Sequence, residues 1–279
     1  MMKKIYSLSV CFCCALIALP AQHNDCLPTR TYTADELAFQ SGERLTVIAA
    51  YKWGLINMDV GEATFTLQDE TFRGVHYFFA RGVAKTYKFW DNFFEVRDIY
   101  EGRFRVSDLR PIYFHRDIKE GGYKMKNTYL FNFETNEINA TIQSQNNPMR
   151  EYNLEGKPCT FDIISLFYNS RNLDFSGLTP GKTFPISFAI DEKIYDLYYR
   201  YVGVEEVKIS KQGTFRCLKF KASLVAGEVF TGKEELTIWI TDDKNRMPVM
   251  MESPVIVGRV TIRLGQYANL KHPLTSKIR

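Results

Sequence analysis

The chain has 279 residues, of which 45% are hydrophobic, 14% aromatic and 24% charged, with a formal net charge of +4. That is enough chain to bury a core, as one large domain or two small ones, and this balance excludes low-complexity disorder, collagen and coiled coil. The small charge, with no basic run to concentrate it, speaks against a nucleic-acid binder.

Met1-Met2-Lys3-Lys4 opens with positive charge, and Ile5 to Leu19 follows without a charged residue as far as Pro20-Ala21-Gln22. A positive start, an apolar stretch of about 15 residues and a small residue at the exit describe a secretory signal peptide, with cleavage placed after Ala21. The alternative is an uncleaved anchor, for which the stretch falls slightly short of the ~20 residues that span a bilayer. Cys11, Cys13 and Cys14 lie inside the apolar segment and Cys26 sits behind His23-Asn24-Asp25, so lipidation is not expected. Losing Lys3 and Lys4 from 36 basic residues against 32 acidic ones leaves a net charge of +2. No later segment is apolar enough to span a membrane, so the expected product is periplasmic or outer-membrane-associated.

Residues 22–38 are polar and without pattern, and read as an extended leader. A period of two then dominates. Leu45-Val47-Ala49-Tyr51-Trp53 alternates with Thr46-Ile48-Ala50-Lys52; Gly54 and Asn57 permit a turn; Ala63-Phe65-Leu67 and Val75-Tyr77-Phe79 continue the style. Over residues 123–134, Tyr123, Met125, Asn127, Tyr129, Phe131 and Phe133 share one face, and Ile138-Ala140-Ile142 returns after a turn at Glu134-Thr135-Asn136-Glu137. That is a β-hairpin.

Thr160 to Arg171 breaks the pattern by grouping its apolar residues at helical spacing, with Thr160 as N-cap, Asp162 near the positive end and Arg171 near the negative end. One short helix is expected there, bridging two β-rich halves, before Gly177, Pro180 and Gly181 interrupt the chain. Period-two runs resume at Ile186, Leu197, Leu218 to Leu224 and Leu236, with Asp242-Asp243-Lys244-Asn245 as a turn and Val255 to Leu264 closing the domain. A dozen strands or more at this spacing define an all-β protein, sandwich or barrel. The link through the helix is short and apolar, so residues 39–265 read as a single β-rich domain and residues 266–279 as a polar tail.

Cys26, Cys159 and Cys217 remain after cleavage, enough for one bridge and one free thiol. Cys159 and Cys217, both in patterned regions, are the expected pair; two buried free cysteines acting as small hydrophobes are the alternative.

Phe39 through Gly42-Glu43-Arg44-Leu45, then Tyr51-Lys52-Trp53-Gly54 and Gly61-Glu62-Ala63, resemble the start of an exported bacterial family of unknown function, DUF3108. The likeness continues through Asp162, Ser165, Leu166, Arg171 and Leu178-Thr179-Pro180-Gly181, and ends with Trp239 to Asp243, Arg246, Pro248-Val249 and Gly258. The resemblance implies a large antiparallel meander curled into a half-open barrel, similar to the YmcC-like fold and more loosely to lipoprotein carriers of the outer-membrane sorting pathway. It implies no activity and no catalytic residue.

The residues themselves show little enzyme chemistry. Neither G-x-G-x-x-G nor a complete Walker G-x-x-x-x-G-K-[ST] nor G-x-S-x-G occurs. His23, His76, His115 and His272 are scattered; H-E-x-x-H is absent and C-x-x-C occurs only within the apolar start, at Cys11 and Cys14, so no metal site or cofactor is expected. The adjacent acids Asp191-Glu192, Glu234-Glu235 and Asp242-Asp243 would point to opposite faces of a strand and cannot flank one glycosidic bond. Lys85 to Phe94 is the suggestive stretch, with Tyr87, Phe89, Trp90, Phe93 and Phe94 beside two lysines and one acid. On a rim loop these rings would bind a ligand by stacking on sugars or resting at a membrane interface; in a bent strand or helical turn they would plug the barrel end. Tyr195, Tyr198, Tyr199 and Tyr201 are expected to line the sheet. The reading is a non-enzymatic binding or carrier protein of the cell envelope for a lipid, other apolar or glycan ligand. The alternative is a structural or assembly partner of an envelope protein in surface-polysaccharide biogenesis, and an uncharacterised enzyme ranks third.

Overall fold

Alternating apolar and polar side chains form antiparallel strands throughout the computed structural model, which describes residues 26–27, 30–223, 235–254 and 258–278. The expected signal segment and the expected strand residues 224 and 255–257 lie outside the described residues. The strands are β1 (Arg44–Trp53), β2 (Ile56–Phe72), β3 (Val75–Thr86), β4 (Arg97–Arg105), β5 (Pro111–Glu120), β6 (Tyr123–Asn132), β7 (Glu137–Ser144) and β8 (Asn147–Glu155). They continue with β9 (Thr160–Phe161), β10 (Thr183–Ile190), β11 (Lys193–Ile209), β12 (Gly213–Ser223), β13 (Glu235–Thr241), β14 (Pro248–Pro254) and β15 (Arg259–Ala268). One helix, α1, spans Ile163–Ser170.

All fifteen strands belong to one sheet, ordered β8-β7-β6-β5-β4-β3-β2-β1-β15-β14-β13-β12-β11-β10-β9. The chain enters at mid-sheet, winds outward to β8, crosses to the opposite edge at β9, and winds back until β15 pairs with β1. The ladders are antiparallel except the two-residue pairing of β9 with β10. The edges β8 and β9 do not pair, so the sheet is curled and not closed, a half-open barrel. Pairing of Tyr129 with Ala140 sets the expected hairpin, β6 to β7. Between Ala49 and Ala50 the β1–β2 register shifts, the partner passing from Gly61 to Asp59 so that Val60 of β2 is the extra residue; Ala50, assigned by period to the other face, is buried.

The concave side is filled by side chains. Phe39, Leu67, Phe78, Phe104, Phe114, Tyr129, Ile138 and Tyr168 form one buried cluster that also takes in Ala189 of β10 and packs against Ile194 of β11. The two arms of the sheet thus share a core. Helix α1 lies inside the curl, against β3, β4 and β10, and glycine allows its approach: a Cβ at Gly102 would meet Ile164 Cγ2 at 3.1 Å.

The helix is where its spacing placed it, but its cap is not Thr160. Asp162 Oδ1 accepts from Ile164 N at 2.8 Å and Ser165 N at 2.9 Å, and Ser165 Oγ donates to Asp162 Oδ2 at 2.6 Å. Thr160 instead pairs with Ser187 in the sheet. Arg171, at the helix C-terminus, turns inward. Its guanidinium donates to Glu43 at 2.5 and 2.9 Å and to the Asn245 carbonyl at 2.9 and 3.2 Å. Asn245 Nδ2 in turn donates to the His272 carbonyl at 2.9 Å. Residues read as leader and tail are therefore docked on the body: Leu37 and Ala38 are buried, and Ile278 N donates to Thr214 O at 2.8 Å.

The expected Cys159–Cys217 pairing is corrected. Cys159 is bonded to Cys26, and Cys217 is a buried free thiol whose pKa burial pushes up to about 12. Cys159 precedes edge strand β9, three strand spacings from β12, where Cys217 sits. Three spacings are about 14 Å, twice the Cα separation that a disulfide bridges.

Candidate functional site

The antiparallel register brings the β1–β2 turn, the β3–β4 loop and the β5–β6 turn to one end of the sheet. The aromatic stretch forms that β3–β4 loop. Beyond Thr86, Trp90 N donates to Tyr87 O at 2.8 Å, and the amides of Phe93 and Phe94 both donate to Trp90 O at 2.9 Å, giving a single 3-10 turn over Trp90–Asn92. Asp91 anchors it. Its carboxylate accepts from Arg97 at 2.7 and 3.0 Å and from Thr86 Oγ1 at 2.6 Å, and these bonds, Arg97's first, hold its pKa below the usual range. Trp90 Nε1 donates to the Asp59 carbonyl at 2.9 Å, fixing the loop to β2.

Of the five predicted residues, three form one cluster. The Phe89, Trp90 and Phe93 ring centroids lie 5.1, 5.7 and 5.8 Å apart. Phe93 is 72% exposed and Phe89 65% exposed, so this is an outward-facing group and not a plug. Phe94, also exposed, leans away over the β5–β6 turn, where a Cβ on Gly121 would meet its ring at 2.9 Å. Tyr87 turns aside and is half-buried, and burial, then Glu62 and Asp59, raises its phenol pKa.

Sequence reasoning missed the rest of this end. Leu55, at the apex of the β1–β2 turn, is fully exposed, and Tyr123 is exposed beside Gly121-Gly122. Lys52 and Lys124 are exposed at this end too, beside Lys88 of the predicted stretch. A signal for Leu55 did exist: a large apolar residue following Gly54 stands where turn chemistry favours polar ones.

Other candidates resolve into structure. His76 Nδ1 pairs with Thr71 Oγ1 at 3.1 Å and His115 Nδ1 with Thr128 Oγ1 at 2.9 Å, on separate strands. No group of three His, Cys, Asp or Glu residues suited to a metal occurs among the described residues. Asp243 caps its turn by accepting from Thr241 Oγ1 at 2.9 Å and Asn245 N at 3.0 Å, and Asp242 pairs with Arg216 at 2.8 Å. Glu235 is shared by Arg200 and Lys221. Tyr199 and Tyr201 pack in the sheet as expected, while Tyr198 faces out.

One polar cluster lies inside the curl. Buried Asp98 accepts from Lys119 N at 3.1 Å, and desolvation, then Glu120, pushes its pKa up to about 6. Beside it Arg116 pairs with Asp191, in the β10–β11 turn, and Tyr129 Oη donates to the Asp191 carbonyl at 2.9 Å. These contacts join β5 and β6 to the opposite arm and maintain the curl.

Two clefts stand out among the described residues. One, beside the disulfide near Leu27, Tyr32 and Tyr199, is about 60 Å³; the other, a hollow over Arg44, Thr64 and Arg81, is about 190 Å³. Both fall below the roughly 300–1,000 Å³ of ligand pockets.

The sequence matches a family model described as "Protein of unknown function (DUF3108)" over residues 48–265. No curated protein matches. Among solved structures, the chain is similar to a beta-barrel-like protein of domain of unknown function DUF1849 from Brucella abortus. The TM-score is 0.55 and the identity 8%, covering 83% of this chain and 99% of that one. A putative exported protein with YmcC-like fold from Bacteroides fragilis aligns at TM-score 0.36 and 9% identity, covering 82% and 97%. The first likeness supports a barrel-like fold and nothing further.

Proposed function

The chain belongs to the DUF3108 family of unknown function, and on that premise we propose that it is an exported cell-envelope protein that acts by surface contact and not by catalysis. The observation that carries this reading is the Phe89–Trp90–Phe93 cluster, anchored by hydrogen bonds and open to solvent at one end of a sheet whose concave side is filled. Exposed rings favour burial against something, at about 25 cal/mol per Å² of apolar surface removed from water.

Export is supported by the charged and apolar start of the chain, and by a Cys26–Cys159 bond of the kind that persists in oxidising compartments. We place the protein in the periplasm or at the outer membrane. A carrier that encloses its ligand is disfavoured by the packed interior, so binding is assigned to the rim. We assign Asp98, Arg116 and Asp191 to holding the fold, since each is engaged with a neighbour across the strands or arms of the sheet.

The test is site-specific photocrosslinking in intact cells. A crosslinker replacing Phe93 should give adducts, whereas one replacing Leu130, exposed on β6 nearer the opposite end, should give none. Equal labelling at both positions, or none at Phe93, contradicts the assignment.

A further inference from the structure

We infer that the partner of the aromatic end is an anionic lipid surface; this rests on the reading of that end as the contact site. Three features of the end converge on it. The first is shape. Leu55 projects from one turn, Phe89 and Phe93 from a second loop, and Tyr123 from a third connection, each exposed at its own apex. A protein partner would need a separate depression for every tip, whereas a bilayer yields around each of them. The loop that carries Phe89 and Phe93 is also held in advance by the Trp90–Asp59 and Asp91–Arg97 bonds, so little ordering of these two rings is lost on contact.

The second feature is charge. The acids around the tips are engaged: Asp59 with Arg263 at 2.7 Å, Glu62 with Lys85 at 3.1 Å, Asp91 with Arg97 at 2.7 Å and Glu95 with Lys119 at 2.5 Å. Glu120 lies against Asp98, a second carboxyl, and so stands as one acid uncancelled by a cation against the three lysines. Exposed Lys52, Lys88 and Lys124 have no such partner among the described residues, and so leave a positive ring around apolar tips. That is the arrangement of an interfacial anchor, with apolar groups entering the acyl boundary and lysines reaching the headgroups.

The third feature separates lipid from glycan. Sugar stacking uses an open ring face with hydrogen-bonding groups beside it. Here the rings are set at 89°, 50° and 49° to one another, so they form no common platform. The indole N–H of Trp90 is already committed to Asp59, and phenylalanine offers no polar group.

The inference is tested by co-flotation of the signal-free protein with vesicles of equimolar phosphatidylethanolamine and phosphatidylglycerol, and with vesicles of phosphatidylcholine alone. Binding is expected on the first and should weaken with salt. Phe89→Ser with Phe93→Ser should weaken it at least about tenfold, a conservative figure for removing two inserted rings. Lys88→Glu should weaken binding to the anionic vesicles only. Leu130→Ser should change nothing, and unchanged melting of every variant excludes misfolding. Equal binding to both vesicle types, or full binding by the double phenylalanine variant, overturns the lipid assignment. Absence of vesicle binding while the Phe93 crosslinker still captures a protein in cells overturns it too, yet leaves the contact site standing. Loss of both signals removes the contact site itself.

Discussion

Glu43→Ala is expected to destabilise the fold severely. In the native protein Arg171 and Glu43 are 2% and 1% exposed, joined by two hydrogen bonds of 2.5 and 2.9 Å. Around the guanidinium also lie the carbonyls of Asn245 and Ala38 and the rings of Phe39, Phe167 and Tyr168, with the Asp243 carboxylate acting on it only as a weaker, through-space charge. Carbonyls can satisfy donors but cannot neutralise charge. Removing the carboxylate strands a cation out of reach of water, which costs about 3–5 kcal/mol. For a domain of this size each kcal/mol lowers the melting midpoint by roughly 2–4 °C, so a fall of about 6–20 °C is expected in circular-dichroism melts. Replacing both partners, Glu43→Leu with Arg171→Met, should recover much of that loss because neither charge is then buried. A Glu43→Ala protein melting within about 2 °C of the native one would refute the reasoning, since it would mean that water or another anion reaches Arg171.

Asp98 gives a pH test with a defined sign. Its folded pKa, near 6, lies above the ordinary 3.8, so the proton is bound more tightly in the fold. Stability from this group is therefore complete below about pH 4 and lost as pH rises through about 6. Asp98→Asn, which keeps an acceptor for Lys119 N, should raise the urea midpoint at pH 8 and leave it unchanged at pH 4. Asp162→Ala removes the acceptor of two helix amides and should cost about 1–2 kcal/mol by urea titration, with Asp162→Asn much milder. Reduction, or Cys26→Ser, opens a link spanning 133 residues and should cost up to about 4–5 kcal/mol. Under non-reducing conditions a peptide map should join the Cys26 and Cys159 peptides, with Cys217 alkylated only after unfolding.

Much of the fold was legible because one face of each strand is buried and a slip in register would expose it. The β6–β7 hairpin shows this directly: the period that put Tyr129 and Leu130 on opposite faces matches a buried Tyr129 and an exposed Leu130. Features that depend on distant segments were less legible. Thr160 and Asp162 are both acceptable caps by chemistry, and only the pairing of Thr160 with Ser187 decides between them. Cys26 has no pattern around it, so nothing local reports that it lies against the edge at Cys159.

The residues carrying the family resemblance proved largely architectural. Glu43 and Arg171, 128 positions apart, form the buried pair, and Asp243 shapes the turn that supplies the Asn245 carbonyl. The candidate site divides along the same line. Phe89, Trp90 and Phe93 were found because one turn of chain brings them together. Leu55 and Lys124 were missed because they join that end only when separate strands are aligned in the sheet.

The central claim is that the curled sheet is solid and meets its partner from outside. Native mass spectrometry of protein released from cell envelopes without detergent tests it most directly. The account predicts the mass of the signal-free polypeptide with no retained small molecule; a stoichiometric apolar adduct that survives gas-phase transfer and disappears only on unfolding would contradict it.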